Sequence, residues 1–190
     1  EAYADMLPDA KQPDTLKYVR QGRNVILLRT FSKAYGLAGL RMGYVVAPSS
    51  CIQLMERVRQ PFNVNAMAQA GALAALEDDG HVRRTRQMVR RGLAYLAQEL
   101  DRMGVPYVPA VANFMLVEVG NGRRVYEDLL RKGLIVRPVD CYGLPQYVRI
   151  TVGTQSQNER LIAALSDVVS RTENAQCEPG PAPTTANGVI

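Results

Sequence analysis

Apolar residues recur along this 190-residue chain with different periods, and each period predicts a different element. Val25-Ile26-Leu27-Leu28 and Tyr44-Val45-Val46-Ala47 are continuously apolar, the second ended by Pro48. Runs of this length bounded by turn residues read as buried strands. Ile52, Met55 and Val58 recur at helical spacing after two serines, which predicts a helix over 49–59. A polar stretch upstream holds a short helix over 15–20, with Asp14 as its candidate N-cap. An alanine-rich helix is expected over 66–76, ended by Asp78-Asp79-Gly80. Val82, Val89, Leu93, Leu96, Leu100 and Met103 then mark one face of a long amphipathic helix over 81–103, closed by Gly104.

From residue 104 the pattern shortens into a small α+β unit. Strands are expected over 105–109, 113–119, 134–137 and 147–152. Helices are expected over 124–132, ended by Gly133, and over 155–170, where S-Q-N-E at 156–159 fits a capping box. Beyond Arg171 the composition turns to Pro, Thr, Asn and Gly, which predicts a disordered tail over 171–190.

Composition narrows the class. Hydrophobic residues make up 47% and charged residues 22%, as in a globular protein. The net charge of +5 comes from dispersed arginines, clustered only at Arg83, Arg84, Arg86, Arg90 and Arg91. These read as a solvated helix face, and no aromatic-and-basic pattern points to nucleic acid. Cys51, Cys141 and Cys177 fit neither a zinc site nor a disulfide framework, so no metal and a reducing, cytoplasmic compartment are expected. No run is apolar enough to span a bilayer. The sequence opens on E-A-Y without a methionine, as if within an element. The single histidine, His81, has no partner motif and is assigned no catalytic role.

The candidate chemistry lies between the two apolar runs, in T-F-S-K-A-Y-G-L-A-G-L-R-M-G-Y at 30–44. A lysine amine condenses with aldehydes when its ammonium form is disfavoured. A serine hydroxyl beside an arginine fork suits a phosphate. Lys33, Ser32 and Arg41 together suit an aldehyde that carries a phosphate, and equally describe a surface lysine and a structural arginine in a glycine-rich loop. A second pair, Arg137 and Arg149, follows apolar residues in two expected strands. A charge so embedded needs a partner, either a protein carboxylate or an anionic substrate.

The stretch 32–44 resembles the cofactor-lysine signature of fold type I pyridoxal-phosphate aminotransferases. The resemblance implies that Lys33 forms the Schiff base with pyridoxal 5'-phosphate and that Ser32 and Arg41 hold its phosphate. Tyr3, in E-A-Y, matches the tyrosine that hydrogen-bonds the cofactor's phenolic oxygen in that family. The aspartate that meets the pyridine nitrogen there would precede Glu1. That anion makes the ring an electron sink, so the chain as given is expected to transaminate poorly alone. L-I-V-R-P at 134–138 and C-Y-G-L-P-Q-Y-V-R-I-T-V-G-T at 141–154 resemble histidinol-phosphate aminotransferases. There both arginines meet the substrate phosphate, and glutamate or 2-oxoglutarate presents its carboxylates to the same region. Arg137 and Arg149 are therefore the expected substrate residues, with Tyr142 only a neighbour. P-F-N-V-N at 61–65 matches an element near the substrate entrance, which makes Asn63 a further substrate candidate, although turn chemistry explains it as well. N-F-M-L at 113–116 is read as core.

The resemblance covers about 1–170 and implies an α/β architecture. In it 1–65 ends the large cofactor-binding domain, 66–103 are connecting helices and 104–170 form the small α+β C-terminal domain. This corresponds to roughly the second half of a complete enzyme, a homodimer when full length. Rival readings within the fold are an aromatic-amino-acid aminotransferase or a threonine-phosphate decarboxylase. Outside it stand a catalytically inactive fragment or interaction module, and nucleic-acid binding through the arginine-rich helix.

Overall fold

The computed structural model describes residues 1–7 and 11–176, with side chains to 170. A 3₁₀ turn, Ala4–Met6, precedes helix α1 (Leu16–Arg20). Strands β1 (Leu27–Thr30) and β2 (Gly43–Val46) pair antiparallel, and the stretch from Phe31 to Met42 joins them. Helices α2 (Ser49–Glu56), α3 (Ala66–Glu77) and α4 (Asp79–Met103) follow. Then come β3 (Tyr107–Val108), β4 (Phe114–Glu118), α5 (Gly122–Arg131), β5 (Arg137–Pro138), β6 (Tyr147–Thr151) and α6 (Gln155–Gln176). The last four strands form one sheet in the order β3-β4-β6-β5, with β3–β4 and β5–β6 antiparallel. The chain forms two compact units. The first holds Glu1–Tyr95, Pro109–Met115 and Thr151–Thr154; the second holds Leu96–Val108, Leu116–Ile150 and the chain from Gln155 onward. No described helix is long and apolar enough to cross a membrane.

In the first unit α3 explains its alanines. Ala68 and Ala72 are buried, and Asn65 caps the helix by accepting from the Ala68 amide at 2.8 Å. A Cβ on Gly71 would lie 2.8 Å from the Leu40 side chain, so the helix packs closely on the 3₁₀ turn Ala38–Leu40 and a larger residue would displace that leucine. The helix thereby braces the loop that follows Lys33.

The two apolar runs differ from their expectation. They pair as β1 and β2, but only Leu27 is buried; Leu28, Tyr44 and Val45 are exposed. Continuous apolar strands fill both faces of a covered sheet, whereas this ribbon has two strands with cover on little of either face.

In the second unit the alternation is regular. Val117, Val148 and Ile150 alternate with more exposed neighbours on β4 and β6, and are buried as Val125, Leu129 and Leu165 are. Gly122 begins α5 where a Cβ would lie 2.3 Å from the Tyr147 carbonyl oxygen, so only glycine permits that approach. Asn121 caps the helix by accepting from the Arg124 amide at 3.0 Å.

Several boundaries move. Helix α2 ends at Glu56 rather than at 59. Helix α4 starts at Asp79, two residues early, because the Asp78 carboxylate accepts from the His81 amide at 2.8 Å and so separates α3 from α4 in one residue. The 134–137 strand shrinks to Arg137–Pro138, since the Leu134 amide bonds back to the Leu129 carbonyl and finishes α5. Ser156 lies inside α6 rather than at its cap, and Gln155 supplies the side-chain partner of Glu159 at 2.8 Å. α6 continues to Gln176 where the helix was expected to stop at 170; the rest of the expected tail, with Cys177, lies outside the described residues.

Candidate active site

The connection between β1 and β2 is built to hold its side chains still. Phe31 is buried and its ring lies 5.0 Å from Tyr35 and 5.9 Å from Tyr44. The Phe31 amide donates to the Met42 carbonyl and the Leu37 amide to the Phe31 carbonyl. Ala34 is buried beside the exposed Lys33. Burial, then the charge of Asp5, raises the Tyr35 phenol above its ordinary value, so it stays protonated at neutral pH.

Lys33 and Tyr3 meet. The Lys33 Nζ sits 5.3 Å from the centroid of the Tyr3 ring, whose other neighbour is Phe114, edge-on at 5.4 Å. Among the described residues the Lys33 ammonium has no carboxylate partner, and the Tyr3 hydroxyl makes no hydrogen bond. Both polar groups are left for a ligand.

Ser32 and Arg41 meet as well. Arg41 adopts φ 55°, a left-handed conformation that is strained for a residue with a side chain. In it the guanidinium Nη1 donates to the Ala38 carbonyl at 2.8 Å and lies 3.5 Å from the Ser32 Oγ, the long limit of a hydrogen bond. The Ser32 amide donates to the Thr30 hydroxyl at 3.1 Å. Arg41 has no carboxylate partner among the described residues. A strained, uncompensated guanidinium beside a serine hydroxyl fits a phosphate. Lys33, Ser32, Arg41 and Tyr3, all in the first unit, thus fit pyridoxal phosphate at its aldehyde, phosphate and phenolic ends.

Asn63 bonds within its own loop. Its Oδ1 accepts from Arg59 Nη1 at 2.9 Å in a loop where Phe62 is fully exposed with φ 57°. His81 approaches the turn from α4: a Cβ on Gly36 would lie 3.8 Å from its Nε2.

Arg137 and Arg149, both in the second unit, are direct cross-strand partners on β5 and β6. Like charges placed opposite one another destabilise a sheet. The register thus sets two arginines opposite one another at the edge of the sheet. Arg137 has no carboxylate partner among the described residues; its Nη2 donates to the Tyr142 hydroxyl at 3.2 Å.

One arginine went unremarked in the sequence. Arg29 of β1 pairs with Glu1 at 2.6 Å and with Asp5 at 3.3 Å, and the Thr15 hydroxyl donates to the same Glu1 carboxylate. Arg29 too is a charge inside an apolar strand, after Leu27-Leu28. Glu1 and Asp5 are both committed to it, so neither is available to a cofactor ring nitrogen.

Comparison with known proteins identifies the family. The sequence profile of the family described as aminotransferase class I and II matches residues 1–165. The chain is similar to a histidinol-phosphate aminotransferase of Akkermansia muciniphila, 49% identical over 169 residues, covering 89% of this chain and 46% of that one. It is similar to histidinol-phosphate aminotransferase 2 of Ralstonia nicotianae, 48% identical, covering 92% and 48%. Among solved structures it resembles the histidinol-phosphate aminotransferase of Sinorhizobium meliloti in complex with pyridoxal-5'-phosphate. The TM-score is 0.83 at 27% identity, over 90% of this chain and 48% of that one. The chain spans about half the length of the curated relatives it matches.

Proposed function

Because the chain belongs to the class I and II aminotransferases, we propose that it carries the lysine half of a pyridoxal-phosphate-dependent transaminase acting on L-histidinol phosphate. The first unit is then the end of the cofactor-binding domain and the second the small α+β domain. The complete enzyme is a homodimer of the cytoplasm that passes the substrate's amino group to 2-oxoglutarate. The observation that carries the cofactor assignment is the Lys33 amine over the Tyr3 ring, with Ser32 and Arg41 joined on the same turn.

Ser32 and Arg41 hold the cofactor phosphate, Tyr3 meets the phenolic oxygen and Lys33 stands at the aldehyde. Bound there, pyridoxal phosphate supplies an electron sink that makes the substrate's α-carbon acidic. Lys33 takes the proton from that carbon as general base and gives it back as general acid. Arg137 and Arg149 hold the substrate phosphate in one half of the cycle and a carboxylate of glutamate or 2-oxoglutarate in the other. Two guanidinium groups match a dianion better than one. The products are glutamate and the ketone of the substrate, imidazole acetol phosphate. Asn63 borders the substrate only if it leaves Arg59.

Calorimetric titration with L-histidinol phosphate and with L-histidinol tests the substrate assignment. The phosphate ester is expected to bind and the alcohol to bind far more weakly. Arg149→Gln should weaken the ester by about tenfold to a hundredfold, the loss of a hydrogen bond to a charged group costing about 1.5–3 kcal/mol. Equal affinity for ester and alcohol would overturn the assignment.

A further inference from the structure

Tyr142 was expected to be a bystander, but it is the sole described partner of Arg137. Its hydroxyl accepts from Arg137 Nη2 at 3.2 Å and its ring lies under the same guanidinium, 5.8 Å from centroid to Cζ. Two contacts of different kind, a hydrogen bond and a cation–π contact, fix both the position and the plane of the fork. Arg137 needs such a brace. It sits on a two-residue strand, it is exposed, and the residue opposite it across the sheet is the like-charged Arg149. Left to itself it would swing into solvent away from Arg149.

Tyr142 is held in its turn. It ends a 3₁₀ turn, Asp140–Tyr142, which closes with the Tyr142 amide on the Val139 carbonyl at 3.0 Å. Val139 is buried and anchors one side of that turn. The other side is fastened by Asp140, whose carboxylate accepts from Arg123 Nη2 at 2.6 Å. That bond holds the Asp140 carboxyl below its ordinary range, so the pair stays charged at neutral pH. Arg123 belongs to the first turn of α5, where Gly122 packs on the Tyr147 carbonyl at the start of β6. A continuous path thus runs from α5 through Arg123, Asp140 and Tyr142 to Arg137.

We propose that Tyr142 is a positioning residue that keeps the Arg137 fork aimed beside Arg149 for the substrate's phosphate, and that the Arg123–Asp140 ion pair keeps Tyr142 in place. The proposal rests on the reading of Arg137 and Arg149 as the substrate-anion site. It names an aromatic hydroxyl, not a further cation, as what sets the geometry of that site.

The test is calorimetric titration of the whole chain with L-histidinol phosphate and with inorganic phosphate, for the wild type and for Tyr142→Phe, Tyr142→Ala, Asp140→Asn and Arg149→Gln. Tyr142→Ala is expected to weaken both probes by about tenfold, and Tyr142→Phe and Asp140→Asn by about threefold, as for loss of single hydrogen bonds. In an Arg137→Gln background Tyr142→Ala should cause no further loss, a coupling that a merely structural role would not produce. If the wild type binds neither probe, or if Arg149→Gln binds both as the wild type does, the substrate-site reading fails and the proposal with it. If Arg149→Gln weakens binding while the Tyr142 and Asp140 variants match the wild type, the positioning proposal alone is overturned. It is overturned too if Tyr142→Ala is equally harmful with and without Arg137. Should Tyr142→Ala fail to fold, Tyr142→Phe and Asp140→Asn decide the matter.

Discussion

The ribbon that carries Lys33 and the sheet that carries Arg149 are both rich in apolar residues, yet they bury them very differently. Leu28, Tyr44 and Val45 of the ribbon are 56%, 42% and 37% exposed, while Met115, Val117, Val148 and Ile150 of the sheet are at most 3% exposed. The sheet alternates apolar and polar positions, lays one face on α5 and α6, and completes its own core. The ribbon is continuously apolar and leaves Leu28, Tyr44 and Val45 exposed. The chemistry follows the same division. The lysine site is rigid through local turns, a buried Phe31 and a strained Arg41. The arginine site is rigid through packing, with charges mounted on the outer face of a filled core.

The largest expected effect sharpens this contrast. Leu129→Ala removes a side chain with no exposed surface and should cost about 2–5 kcal/mol, whereas Leu28→Ala should fall within about 1 kcal/mol. Denaturant unfolding followed by circular dichroism measures both. Equal costs would remove the distinction between the two regions.

A smaller effect is electrostatic and confined to the second region. The Arg123 hydrogen bond lowers the folded Asp140 carboxyl below its ordinary value of 3.8. A group lowered in the folded state lends stability above its unfolded value and loses it as pH falls through the folded one. Asp140→Asn should therefore be less stable than the wild type at neutral pH, and the difference should vanish as the pH drops below about 4. Thermal unfolding at a series of pH values reads this directly. A constant difference across that range would mean that the pair contributes nothing through charge.

How much of this was legible in the sequence differs by region for the same physical reason. The second unit's strands and helices were readable because alternation and helical spacing report a core the chain itself supplies. There the boundaries slipped only where a tertiary contact decided, as at Leu134, whose amide returns to Leu129. The ribbon's strands were found but their burial was misjudged, since an apolar run states what a residue prefers and not what covers it. Lys33, Ser32 and Arg41 were legible as one motif because they are close in sequence. The register that sets Arg137 opposite Arg149 was not, because strand pairing joins residues that no local pattern links. Arg29 follows Leu27-Leu28 as Arg149 follows Tyr147-Val148, but its partners Glu1 and Asp5 lie more than twenty residues away, where no local pattern links them.

The central claim is that Lys33, with Ser32, Arg41 and Tyr3, receives pyridoxal phosphate. The measurement that tests it most directly is titration of the purified chain with pyridoxal phosphate, followed by borohydride reduction and mass spectrometric mapping of the modified lysine. The account predicts label on Lys33 and its loss in Lys33→Ala, with weaker labelling in Arg41→Gln because the phosphate then lacks its fork. Label spread evenly over Lys11, Lys17, Lys33 and Lys132, unchanged by Arg41→Gln, would contradict it.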